Sequence, residues 1–309
     1  MYHRPTGPRS IGGVLDDSIQ LFKASFTRAV IPALLMSAVV IVELLVQMMS
    51  GAAIRRSGAL GGLMGAGAMA AAPGSMVLSL VGSLLNVVLY GAIVLIIIGV
   101  ARGDAPKFGA AFAAAWRRFG AMLGASFLVG LIGALGFVLA CIPVFLNLSG
   151  LPAGAAFPQI IARLMPQILE SLVLFLPVIY VLSRLMLYSV PLLGESQSAT
   201  ESIATSWRLI GGNWWRTSTV VFVLGLIVYV LTLIVIAIAG TIAAFVVGGA
   251  ATSPQAAVIA GVIVGIATAT TRVISSPLIA AMFVVIYQDL QLRKGGGDLE
   301  ARLGALPKS

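Results

Sequence analysis

The sequence contains six long apolar stretches, and these constrain the fold more than any other feature. A transmembrane helix needs about 20 mostly apolar residues, whereas the strands of an outer-membrane barrel alternate apolar and polar positions. The runs here are continuous, and only 9% of the residues are charged, compared with roughly a quarter in soluble domains. We therefore predict an all-α integral membrane protein with six spans, at about 29–50, 76–100, 120–147, 167–193, 217–248 and 256–287.

The distribution of positive charge predicts the orientation. Lys and Arg concentrate in the N-terminal arm, in the connections after the second and fourth spans, and in the tail. Of the 19, only Arg55, Arg56 and Arg163 fall in the other loops, and Arg184 and Arg272 fall within spans. Because cytoplasmic loops are rich in Lys and Arg, we predict a multi-pass protein of a bacterial inner membrane with both termini in the cytoplasm. The first span is expected to be an anchor and not a cleaved leader.

Three amphipathic segments indicate an internal repeat. SIGGVLDDSIQLFKASF, PKFGAAFAAAWRRFG and ESIATSWRLIGGNWWR each precede a span, and they align on Ser18, Ala115 and Ser206, roughly 94 residues apart. Each unit is predicted to be an interfacial amphipathic helix, an elbow and a transmembrane hairpin. All four tryptophans lie in the second and third segments, as expected for indole rings at headgroup depth. Residues 1–309 form one membrane domain, with units at about 9–101, 102–193 and 194–288 and a cytoplasmic tail at 289–309.

Ionisable side chains inside a span are candidates for function, because each costs at least about 2.5 kcal/mol to insert. Arg272 lies near the middle of the sixth span, in a run that also contains Thr271, Ser275 and Ser276. Glu43 of the first span lies at a depth that a long arginine can reach, so an ion pair is one interpretation. The others are that Arg272 lines a polar cavity for an anionic group, or that it reaches toward the lipid headgroups.

The sequence lacks the constellations that most catalytic sites need. Its one histidine is His3 and its one cysteine is Cys141, and neither a P-loop nor a GxSxG nucleophile motif occurs. We therefore predict a protein that is not an enzyme and that uses no cofactor or metal. The expected partners are membrane lipids, through their anionic headgroups, and a further membrane protein. The net charge of +9 is explained by the membrane surface, so no nucleic-acid partner is expected.

Three stretches, RLMLYSVPLLGES, ESIATSWRLIGGNWWR and IYQDLQLRKGGGDLEARL, resemble the bacterial glycerophosphoryl diester phosphodiesterase membrane domain family. The likeness covers most of the chain but concerns only that family's membrane part, and this sequence has neither the length nor the histidines for a phosphodiesterase domain. Gln291 stands where the family often has Arg, and Gly296 where Glu is common. The resemblance implies a motif that contacts lipid headgroups or has a structural role, formed by Arg184, Glu195, Trp207, Arg208, Trp214, Trp215, Asp289, Arg293 and Lys294.

Two functions fit these observations. The first is a non-enzymatic scaffold or accessory component of an envelope or lipid-handling system. The second is a small transporter or permease with a midplane anion site around Arg272. A transporter requires a water-accessible cavity that reaches Arg272, whereas a scaffold can be closed there.

Overall fold

The computed structural model describes residues 7–49, 73–104, 106–148, 157–248 and 254–304. Arg55 and Arg56, and most of the predicted outer connections that contain them, lie outside these ranges. The described chain is helical throughout and contains no strand. Its helices are α1 (Ile11–Met49), α2 (Pro73–Arg102), α3 (Phe108–Arg117), α4 (Phe119–Leu148), α5 (Phe157–Leu185), α6 (Ser189–Gly194), α7 (Ala199–Ile210), α8 (Trp214–Val247) and α9 (Pro254–Gly304).

Six helical segments are long and apolar enough to cross a membrane, which confirms the predicted fold class. They are α1, α2, α4, α8, α9 and the segment from Leu164 to Gly194. The sequence predicted this last segment as one continuous span, but the structure divides it into two helices. A turn at 186–188 separates α5 from α6. Pro191 explains the break, since its ring conflicts with the carbonyl four residues earlier in a continuous helix.

The most buried spanning helix is α2, and the bundle is built around it. Of the best 18-residue window of α2, 56% is buried, compared with 6% for the windows of α4 and α8. Helix α1 packs along both α2 and α9, α8 packs on α9, and α4 pairs with α5 as a hairpin. Large exposed side chains such as Phe137, Leu146 and Phe245 therefore lie on outer helices, where their contact with lipid has no hydrophobic cost.

The predicted elbow is present in two of the three units. At Arg118 the chain turns from α3 into α4, and residues 211–213 turn it from α7 into α8. The second turn needs Gly212, whose φ of +82° is a conformation that side chains with a Cβ rarely adopt. The first unit has no elbow, because α1 continues without a break from the amphipathic segment to Met49. Its sequence offers no glycine at this point, and Pro32 is accommodated inside the helix.

The amphipathic helices bury mainly small and aliphatic side chains against the bundle. The buried positions are Val14, Asp17, Ser18 and Leu21 of α1, Ala111 and Ala115 of α3, and Ser202, Thr205, Ser206, Leu209 and Ile210 of α7. Trp116 and Trp207 are exposed. Small side chains allow each helix to approach the bundle closely, whereas Trp214 is partly buried against the core. The three positions that align in the repeat, Ser18, Ala115 and Ser206, are all fully buried.

Candidate anion-binding cavity

A cavity of about 360 Å³ lies between the α1–α2–α9 group and the start of the α4–α5 hairpin. This volume is within the usual range for small-molecule sites, about 300–1,000 Å³. Its apolar wall includes Met36, Met122 and Leu192. Its polar wall is formed by Ser83, Asn86 and Tyr90 of α2, Ser126 of α4, Tyr188, Ser189 and Arg272. The cavity therefore joins a polar side to an apolar side at the boundary between two helix groups.

Several polar atoms of the cavity wall have unused hydrogen-bonding capacity. The Ser126 and Tyr188 hydroxyls bond to each other at 3.0 Å, so each retains further capacity. The side-chain oxygen of Asn86 is buried and accepts no hydrogen bond. Leaving a buried polar atom without a partner costs about 1–3 kcal/mol. These groups could bind the polar part of a ligand or water.

Arg272 is exposed to this cavity and has no protein counterion among the described residues. The neighbouring Thr271 is not part of the cavity wall, and its hydroxyl donates to the Ala267 carbonyl at 3.1 Å. Ser275 and Ser276 are not part of the cavity wall. Of the residues predicted for an intramembrane polar site, the structure therefore places Arg272 alone at the cavity.

Glu43 does not pair with Arg272. Its carboxylate packs against Gly82 of α2 and lines a separate apolar groove of about 480 Å³. Ser83, which follows Gly82 in α2, lines the Arg272 cavity. The side chains of successive residues in an α-helix point about 100° apart. Glu43 and Arg272 therefore lie on different sides of α2, Glu43 at the apolar groove and Arg272 at the cavity. The Oε1 atom of Glu43 has no hydrogen-bond partner.

The motif residues lie together at one end of the bundle, which we call the charged end and define by Arg9, Arg102, Arg216 and Asp289. One group there surrounds Arg184, whose guanidinium stacks 4.0 Å from the centre of the Trp207 ring. The same guanidinium donates to the Trp207 carbonyl at 2.9 Å and to the Tyr180 hydroxyl at 3.1 Å. The Trp214 indole donates to Ser183 at 2.6 Å. This group joins α5 to the elbow between α7 and α8.

A second group forms around Asp289, which is 5% exposed. Its carboxylate accepts from the Arg9 backbone at 2.8 Å, from Arg216 at 3.1 Å and from Arg293 at 2.9 Å. Arg216 and Arg293 also donate to the Arg9 carbonyl, and Arg9 pairs with Asp17 at 3.2 Å. The group joins the segment before α1 to α8 and α9.

The remaining motif residues connect α6, α7 and α9. Glu195 accepts from the Tyr287 hydroxyl at 2.6 Å and from Gln291 at 2.8 Å, so Gln291 replaces the expected arginine with a direct hydrogen bond. Lys294 donates to the Arg208 carbonyl at the end of α7. Trp215 is 77% exposed and contacts the Trp214 ring edge-on.

Two arginines that sequence reasoning passed over hold the end of α6. Arg102 donates to the Gly194 carbonyl at 2.8 Å, and Arg118 donates to the Leu192 carbonyl at 3.3 Å. Cations are favourable at the C-terminus of a helix, where carbonyls lack partners. Because Leu192 and Ser189 line the cavity, these two arginines also fix part of its wall.

The cavity-lining residues of α2 were also missed. Ser83, Asn86 and Tyr90 are three and four residues apart, so they share one helix face. A search for polar residues at helical spacing inside the second span could have found them. Among the described residues, no group of three or more His, Cys, Asp or Glu side chains could hold a metal ion.

The described residues thus form an all-α structure with six helical segments able to span a membrane and a polar cavity between two helix groups. Comparisons with family models, with curated proteins and with solved structures gave no match to this chain.

Proposed function

We propose that this chain is a non-enzymatic inner-membrane protein that handles lipids and binds the anionic group of an amphiphile at Arg272. The carrying observation is an unpaired guanidinium that faces a cavity with one polar and one apolar wall. The polar wall suits a headgroup, and the apolar wall of Met36, Met122 and Leu192 suits the start of an acyl chain.

The energetics of an arginine in a membrane support an anionic ligand. An arginine at the centre of a transmembrane helix costs about 2.5–3.5 kcal/mol on insertion scales. No described carboxylate offsets this cost for Arg272. A phosphate or carboxylate could, because guanidinium binds either group through two parallel charge-assisted hydrogen bonds. The amide N–H of Asn86 and the free hydroxyl proton of the Ser126–Tyr188 pair would donate the remaining hydrogen bonds.

The orientation belongs to the same proposal. With both termini in the cytoplasm, the charged end would face the cytoplasm and its cations would contact anionic headgroups of the inner leaflet. The resemblance to the membrane part of the phosphodiesterase-associated family fits a lipid-handling role without catalysis. A membrane-protein partner remains part of this proposal.

The test compares Arg272→Gln with the matched charge removal Glu43→Gln. Native mass spectrometry of detergent-purified protein would count retained phosphatidylglycerol and phosphatidylcholine. Hydrogen bonds to charged groups contribute about 1.5–3 kcal/mol, or roughly tenfold to a hundredfold in affinity. We expect Arg272→Gln to lower retention of phosphatidylglycerol by at least tenfold and Glu43→Gln to leave it unchanged. Equal retention by Arg272→Gln and the unaltered protein, when both are folded, would rule out the site.

Transport of the bound anion is the second candidate, and the cavity at Arg272 is the observation that favours it. Cysteine placed at Ser83, which lines the cavity, tests water access; Ser275→Cys is the control outside the cavity wall. Both variants are made after replacement of Cys141 with Ala. Modification of Ser83→Cys by a membrane-impermeant thiol reagent would support transport. Protection from both sides of the membrane would leave a closed lipid-binding protein.

A further inference from the structure

Around the end of α7, the side chains of three cations have no carboxylate partner among the described residues: Arg184, Arg208 and Lys294. The nearby Arg9, Arg216 and Arg293 differ, because each forms an ion pair with Asp17 or Asp289. Glu195 does not pair with any of the three within 4.0 Å and instead accepts hydrogen bonds from Tyr287 and Gln291. The positive charge of the three side chains is therefore left uncompensated by the described part of the chain.

The end of α7 brings the three cations together. Arg184 donates to the carbonyl of Trp207, and Lys294 donates to the carbonyl of the next residue, Arg208. The two carbonyls belong to adjacent residues, so Arg184 and Lys294 meet at the same end of α7. Capping a helix C-terminus explains why one cation is favourable there. Capping does not explain three cations at one helix end, because like charges at close range repel one another.

Further features of the cluster point to an anion. The Nε atom of Arg184 is buried and has no hydrogen-bond partner, although the rest of its guanidinium is engaged. The Arg208 side chain is exposed and forms no ion pair with the described residues. Trp207 lies under Arg184 and is itself 38% exposed, which suits an aromatic ring at headgroup depth.

We propose that Arg184, Arg208 and Lys294 form a second site, separate from the Arg272 cavity, that binds a phosphate group at the charged end. Two cations bound to adjacent carbonyls, together with the exposed side chain of Arg208 beside them, match the charge and the acceptor oxygens of a phosphate. The phosphate could belong to a lipid headgroup or be free in solution, since both present the same oxygens. The site does not depend on the Arg272 cavity, but it rests on the headgroup contact proposed above for the charged end and assigns that contact to these three side chains.

The experiment uses Arg208→Gln and Lys294→Gln, each in the Arg272→Gln background so that the cavity does not contribute. These substitutions leave the backbone carbonyls at the end of α7 in place. Arg117→Gln is the matched control, because it removes an exposed cation from α3, another amphipathic helix. Calorimetric titration of folded protein in a non-ionic detergent would use inorganic phosphate, short-chain phosphatidylglycerol and short-chain phosphatidylcholine as separate probes.

A surface cation contributes only about fivefold to the attraction of an anionic lipid. We expect Arg208→Gln and Lys294→Gln each to weaken binding by tenfold or more, and Arg117→Gln by no more than fivefold. Loss for phosphatidylglycerol alone assigns the site to a lipid headgroup, and loss for inorganic phosphate as well assigns it to the phosphate group in either form. Equal effects of all three variants, or no binding of any probe before substitution, would overturn the proposal.

Discussion

Replacing Asp289 with Asn tests whether one buried carboxylate joins three parts of the chain. The Asp289 side chain is 6% exposed, and it accepts from Arg9, Arg216 and Arg293 at 2.8–3.1 Å. Removing one partner of a fully buried ion pair costs about 3–5 kcal/mol. Here the side chains of Arg216 and Arg293 are 21% and 28% exposed, so water compensates part of the loss. We expect destabilisation of about 2–3 kcal/mol, or a fall in Tm of roughly 4–8 °C.

Thermal unfolding in detergent, followed by circular dichroism, measures the loss. The control is Asp16→Asn, because Asp16 is exposed and accepts only a local hydrogen bond from Gln20. Exposed substitutions of that kind change stability by no more than about 0.5 kcal/mol. Tryptic cleavage after Arg9 should also become faster in Asp289→Asn, since the Arg9 backbone is released. If the two variants unfold at the same temperature and are cleaved at the same rate, the three-way junction does not stabilise the fold.

Two further predictions concern α7. Ser206→Ala should destabilise the protein by about 1–3 kcal/mol, because the buried Leu187 N–H donates to the Ser206 hydroxyl at 3.2 Å and would lose its acceptor. Thermal unfolding measures this loss. The control is Ser202→Ala, because the Ser202 hydroxyl makes only a local hydrogen bond. Ser198→Ala should cost about 1 kcal/mol by removing the capping box with Glu201. The Ser198 backbone N–H holds the pKa of the Glu201 carboxyl below its ordinary value, so this part of the stability is present above about pH 4.3 and falls as acid protonates Glu201. A pH series of unfolding curves that is identical for the unaltered protein and Glu201→Gln would contradict this assignment.

The spans could be predicted from the sequence because hydrocarbon leaves little freedom in how an apolar run folds. The elbows were harder to predict from the sequence, because each depends on the identity of single residues. Gly212 marks one of them clearly, through a conformation that favours glycine. In α1, where the expected elbow is absent, the sequence has no glycine at that point. The break before α6 could have been predicted from Pro191, but the long apolar run around it suggested one continuous helix.

Of the residues that line the cavity, the sequence predicted only Arg272, whose charge is costly to insert into a membrane. Arg272 stands out because a charge inside a span has few explanations. Its proposed partner, Glu43, was chosen by depth alone, and depth does not tell which side of α2 a residue occupies. The cavity wall draws Ser126 from α4 and Tyr188 from the turn before α6. Such residues are ordinary in sequence, and only the packing of distant helices brings them together.

The continuity of α1 has a mechanical consequence for the cavity. Near the charged end, Arg9 holds the start of α1 to Asp289 of α9, and twenty residues earlier in α9 the Ala269 carbonyl accepts from the Ser37 hydroxyl at 2.7 Å. At 1.5 Å per residue, these two attachments are about 30 Å apart along α9. Two helices attached at separated points cannot slide or tilt against each other independently. Spin-label distances between α1 and α9 should therefore stay constant when an anion binds. A change in cavity volume then has to come from the remaining walls, which are formed by α2, α4 and α6, while the α1–α9 pair stays fixed.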